Sequence, residues 1–119
     1  GAGAKVSASP LAKRTPVEDA PAHPAAISKL REEAALLQEA RAALGRRDTV
    51  TARVKLADAR ARFPSSQLGE ERDALDVRLA SESGDRARAA SLARAFVEHY
   101  PDSPLRAGVE SIGRAPEKL

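Results

Sequence analysis

The side chains that could do acid–base or metal chemistry are few: His23, His99 and short runs of carboxylates, Glu32–Glu33, Glu70–Glu71, Asp73 and Asp76. A metal centre needs three or four ligands converging on one point. Two isolated histidines do not provide that, and the acidic run 70–76 has no glycine-turned loop of the kind that fixes oxygens around calcium. Adjacent glutamates could act as a catalytic pair. At the start of a helix, however, their charge simply meets the positive end of the helix dipole, and that accounts for them. Ser65, Ser66 and Ser103 sit where helices are expected to begin, so capping accounts for them. No nucleophile elbow, phosphate loop or dinucleotide fingerprint occurs. The expectation is a protein without catalytic residues, cofactor or metal.

Composition supports a structural reading. The chain has 119 residues, enough for one small domain, with 42% apolar residues but only one tyrosine and two phenylalanines. A core must therefore come from alanine and leucine on closely packed helices. Charged residues make up 31%, both signs are interspersed and the net charge is +3. With no basic run and no aromatic platform, nucleic-acid binding is not favoured. The absence of cysteine removes disulfides and thiolate chemistry. No apolar stretch approaches the ~20 residues that span a bilayer. A membrane link is expected only through an anchor preceding residue 1.

The elements follow from periodicity and punctuation. Residues 1–25 carry Pro10, Pro16, Pro21 and Pro24 and no apolar period, which predicts a disordered linker. A helical domain is expected over 26–113, with a tail at 114–119. Ile27, Leu30, Ala34, Leu37 and Leu44 predict a first helix. Gly45 is expected to end it in the left-handed conformation, and Asp48 to cap the next. The second helix, 49–63, carries two apolar stripes. One is Val50, Val54, Ala57 and Ala61; the other is Ala52, Leu56, Ala59 and Phe63. Two adjoining stripes predict packing on both sides. Pro64 ends this helix. A third helix over 67–83 ends at Gly84, a fourth runs over 86–100, and a fifth over 105–112. Ser103 is expected as its N-cap, with Pro104 at the first helical position.

A shift of 37 residues superposes the two halves. Asp48 falls on Asp85, Ala52 on Ala89, Phe63 on Tyr100, Pro64 on Pro101, Ser66 on Ser103 and Leu68 on Leu105. A period of this size with two helices per unit predicts stacked antiparallel helix hairpins, an all-α solenoid of about five helices.

At this point the chain resembles the tetratricopeptide repeat family. Ala40, Ala52, Ala59 and Pro64 match that family's small residues and closing proline. Val77, Ala89, Phe96 and Pro101 do so in the second unit. The phrase AFVEHYPDSPL is similar to junctions in the periplasmic variants found in outer-membrane-assembly lipoproteins and cell-division coordinators. The resemblance covers about residues 26–112. It implies a non-catalytic protein-interaction scaffold, periplasmic and membrane-anchored, as part of a bacterial cell envelope. A cytoplasmic adaptor and a self-associating homo-oligomer remain the alternatives. The resemblance also implies a groove lined by the first helix of each unit: Ala34, Leu37, Arg41 and Leu44, then Glu71, Ala74, Arg78 and Ser81. There Arg41 and Arg78 would grip the carboxylates of an acidic peptide. The competing reading pairs each arginine along its own helix, Arg41 with Gln38 or Glu39, and Arg78 with Asp73 or Glu82.

Overall fold

A computed structural model describes residues 24–115 of the chain. Among them are five helices and no strand: α1 (Pro24–Gly45), α2 (Thr49–Arg62), α3 (Gly69–Glu82), α4 (Arg86–His99) and α5 (Arg106–Arg114). The expected linker lies outside the described residues up to residue 23. Pro24 and Ala25 already belong to α1, because proline fits the first turn, where its missing N–H has no helical partner. Most of the expected tail likewise falls outside, although Arg114 is still helical.

The chain divides between Glu32 and Glu33 into two units. In the first, residues 24–32 of α1 are exposed throughout, Ile27 and Leu30 included. In the second, two apolar clusters hold the helices together. One joins Leu36, Leu37, Ala40, Ala43 and Leu44 of α1 to Ala52, Leu56 and Ala59 of α2 and Leu75 of α3. The other joins Val77 of α3 to Ala93 and Phe96 of α4 and Val109 of α5. So α3 belongs to both, with Leu75 on one side and Val77 on the other. Ala40, Ala43, Ala52, Ala59 and Ala89 are wholly buried. Their methyl groups let helix backbones approach closely where bulky residues would hold them apart.

The turns take the same local geometry 37 residues apart. Asp48 and Asp85 share φ −93°, ψ 82°, and each carboxylate accepts the backbone amide three residues on, Thr51 at 3.0 Å and Arg88 at 3.1 Å. The prolines push the preceding residues out of the helical region. Phe63 (φ −131°, ψ 64°) and Tyr100 (φ −129°, ψ 65°) sit there in matching conformations. After each proline a serine oxygen accepts the amide two residues on: Ser66 from Leu68 at 2.8 Å and Ser103 from Leu105 at 3.0 Å. Each hydroxyl also donates to a carboxylate, Ser66 to Glu33 and Ser103 to Glu70.

Four expectations are corrected here. Gly45 is not the left-handed residue; Arg47 (φ 64°) takes that role after α1, as Gly84 (φ 85°) does after α3. In both cases the next amide reaches back five residues, Asp48 to the Ala43 carbonyl and Asp85 to the Ala80 carbonyl. That pairing needs the left-handed residue immediately before the aspartate, not three before it. Ser103 is not the cap of α5: it closes a separate turn, and Leu105 stands at the helix boundary. Glu32 and Glu33 do not begin a helix, because α1 starts at Pro24 and its first turn holds no acid. Finally, the fifth helix, expected to end at Ile112, continues through Gly113 to Arg114. There Arg86 donates to the carbonyls of Ile112 (2.6 Å) and Ala115 (2.8 Å) and closes the helix end.

Candidate functional site

Leu37 and Leu44 are 2% and 1% exposed within the first apolar cluster. Both are withdrawn from the expected groove, since side chains that fill the core have no surface left for a partner. Their positions on one helical stripe were readable, but periodicity alone does not say which stripe turns outward. Ala34 and Glu71 are exposed, while Ala74 packs against the second cluster. Arg41 donates to Gln38 at 2.7 Å, and Arg78 lies 3.8 Å from Glu82. Each arginine thus has a partner on its own helix. Glu39 is taken by Lys55 instead, at 3.0 Å. The Ser81 hydroxyl accepts from Arg86 at 2.7 Å.

The acids serve packing and capping. Glu33 is buried with its carboxylate on the Ser66 hydroxyl. Asp73 accepts the Tyr100 hydroxyl at 3.0 Å. Burial, and then that carboxylate, push the Tyr100 phenol above its ordinary value. Thirty-seven residues earlier stand Phe63 and Leu36, both apolar and both part of the first cluster. The hydroxyl–carboxylate pair of one unit is a hydrocarbon pair in the other. His99 is exposed, with its ring edge-on to Tyr100 at 4.4 Å; His23 lies outside the described residues. Among the described residues no three His, Cys, Asp or Glu side chains are grouped to hold a metal ion.

An open groove of about 760 Å³ runs along α4 and is lined by Arg60, Asp73, Asp76, Arg88, Phe96 and His99. Arg60 of α2 pairs with Asp76 of α3 across it. Burial holds the Asp76 carboxyl above the usual aspartate value, and the facing Arg60 guanidinium only partly offsets that. No sequence signal pointed to this pair, because its partners come from different helices with no shared spacing rule.

The outer face of α2 is the other distinct surface. Ala52, Leu56 and Ala59 are buried, but Val50 and Val54 are 68% and 58% exposed, and Ala57 and Ala61 are exposed beside them. The expected packing on both sides of α2 is corrected to packing on one. Thirty-seven residues on, α4 has Ala87, Ser91, Arg94 and Glu98 in the corresponding places, all exposed. Both helices turn this face to solvent, and only α2 makes it apolar. No protein family, curated protein or solved structure matches the chain.

Proposed function

We propose that the chain is a non-catalytic protein-interaction scaffold, built from two tetratricopeptide-like helix hairpins, α1–α2 and α3–α4, followed by α5. The supporting observation is the recurrence, 37 residues apart, of the same caps, the same serine–glutamate bond and the same aromatic–proline break. In such an array each repeat packs on its neighbours, and helix faces that this packing leaves exposed are open to partners. An extracytoplasmic place, tethered through the proline-rich N-terminal segment, is proposed from the AFVEHYPDSPL junction. No helix among the described residues is long and apolar enough to cross a membrane.

Cross-linking of this chain in its source cell, followed by separate recovery from envelope and soluble fractions, tests the reading. A defined partner protein captured saturably is the expected result, and the fraction that yields it distinguishes the extracytoplasmic from the cytoplasmic form. Capture of nothing but further copies of the chain would contradict the scaffold reading.

A further inference from the structure

We infer that the exposed face of α2 is a docking site for an acidic amphipathic helix of another protein. This rests on the scaffold reading and adds to it a surface and a partner chemistry. Val50, Val54, Ala57 and Ala61 are spaced by four, three and four residues, which keeps them on one face of a helix. The valines are the most exposed of the large apolar side chains among the described residues. The fold does not require them: α4 fills the corresponding places with Ala87, Ser91, Arg94 and Glu98 and is equally well formed. An exposed apolar face that the scaffold does not need is the usual mark of an interaction surface.

Charge chooses the occupant. Between residues 45 and 62 the exposed charged side chains are all arginines, Arg46, Arg47, Arg53, Arg60 and Arg62; of these Arg46 lies 3.6 Å from Asp48, Arg60 pairs with Asp76 and Arg62 lies 3.7 Å from Asp58. The two carboxylates in the same span are half-buried and engaged, Asp48 with the Thr51 amide and Asp58 with Arg62. With five arginines and Lys55 set against Asp48 and Asp58, this span carries an excess of cations beside the apolar face, and an acidic partner complements it. A second copy of the chain would bring arginine against arginine. A membrane surface is a poorer fit, because interfacial helices insert tryptophan, phenylalanine and leucine, and this face offers valine and alanine. Short side chains also make the surface shallow, which admits the close approach of a helix, at roughly 8–10 Å between axes.

The experiment uses the full chain and two synthetic helical peptides with the same leucine–alanine seam, one otherwise rich in glutamate and one in lysine. The decisive variant transplants the α4 face onto α2: Val50→Ala, Val54→Ser, Ala57→Arg and Ala61→Glu. Because α4 carries these residues at the same register, the variant should keep its helical content and melting midpoint. The glutamate peptide is expected to bind saturably, more weakly at high salt, and at least about tenfold more weakly to the transplant. The Arg41→Ala, Arg78→Ala double variant should bind it as the parent does. Equal binding of both peptides, or binding insensitive to the transplant, overturns the inference and leaves the scaffold reading standing. So does binding lost with Arg41 and Arg78 instead. Transplant-sensitive binding to phosphatidylglycerol vesicles, or self-association that the transplant abolishes, overturns it in favour of those occupants. If the glutamate peptide does not bind, the inference fails, and if cross-linking also yields no partner, the scaffold reading fails with it.

Discussion

The Ser66 hydroxyl donates to the carboxylate of Glu33 while its oxygen accepts the Leu68 amide, so one side chain joins the middle of α1 to the turn that starts α3. Ser103 and Glu70 repeat the bond between α3 and the turn before α5. Glu33 is only 3% exposed, whereas Glu70 is half-buried and can turn to water. Ser66→Ala should therefore cost about 1–3 kcal/mol, the range for stranding a buried polar group, and Ser103→Ala less. Urea denaturation of the two variants checks the order; equal losses would show that Glu33 finds another partner.

Arg47 and Gly84 hold the same left-handed position after α1 and α3. A side chain costs roughly 1–2 kcal/mol there, partly offset by the freedom that glycine regains when the chain unfolds. Arg47→Gly should stabilise the protein by about 0.5–1 kcal/mol, and Gly84→Ala should destabilise it by a similar amount. A Cβ at Gly84 meets nothing within 4 Å, so the second effect isolates backbone strain from crowding. Thermal melts of both variants give the comparison.

Gly113 and Gly108 lie in the same short helix but should respond in opposite directions to alanine. A Cβ at Gly113 would come within 2.6 Å of the Ala93 Cβ on α4, whereas one at Gly108 meets nothing within 4 Å. Gly113→Ala should force α5 off α4 and cost about 1–3 kcal/mol. Gly108→Ala should stabilise by up to about 1 kcal/mol through helix propensity. Hydrogen exchange of the α5 amides reads both, and faster exchange in the Gly113 variant is the expected result.

Asp76 and Asp48 give opposite pH dependences. Burial raises the Asp76 carboxyl above the ordinary 3.8, so the folded chain binds its proton more tightly than the unfolded chain does. Its contribution therefore favours folding below 3.8 and is lost as pH rises through the folded value. Asp48 is lowered, chiefly by the hydrogen bonds of Thr51, so its contribution is present above 3.8 and is lost as pH falls through the folded value. As pH falls from neutral toward 4, the parent should gain stability relative to Asp76→Asn. Denaturation midpoints measured across that range would contradict this if the difference stayed constant.

Helix number and breaks were legible in the sequence because Pro64, Pro101, Gly84 and the capping aspartates act locally. The observed ends lie within about two residues of those expected. What was not legible depends on which neighbour covers which face. Leu37 and Leu44 share the helical stripe of Ala34, yet the two leucines are core and Ala34 is open. The two stripes of α2 looked alike, and only one found a partner. Arg86 closing the end of α5 is a contact over 26 residues, with nothing in either segment to announce it. The left-handed Arg47 was within reach, since the 37-residue shift sets it on Gly84; the preference for glycine pointed to Gly45 instead.

The central structural claim, that the exposed face of α2 docks an acidic helix of another protein, is tested most directly by following the backbone amide signals of the labelled full chain in solution as the glutamate-rich helical peptide is added. The account predicts saturable shifts concentrated over residues 50–61 of α2, with the amides of α4 and α5 unmoved. No saturable shift at any amide, up to the solubility of the peptide, would contradict it.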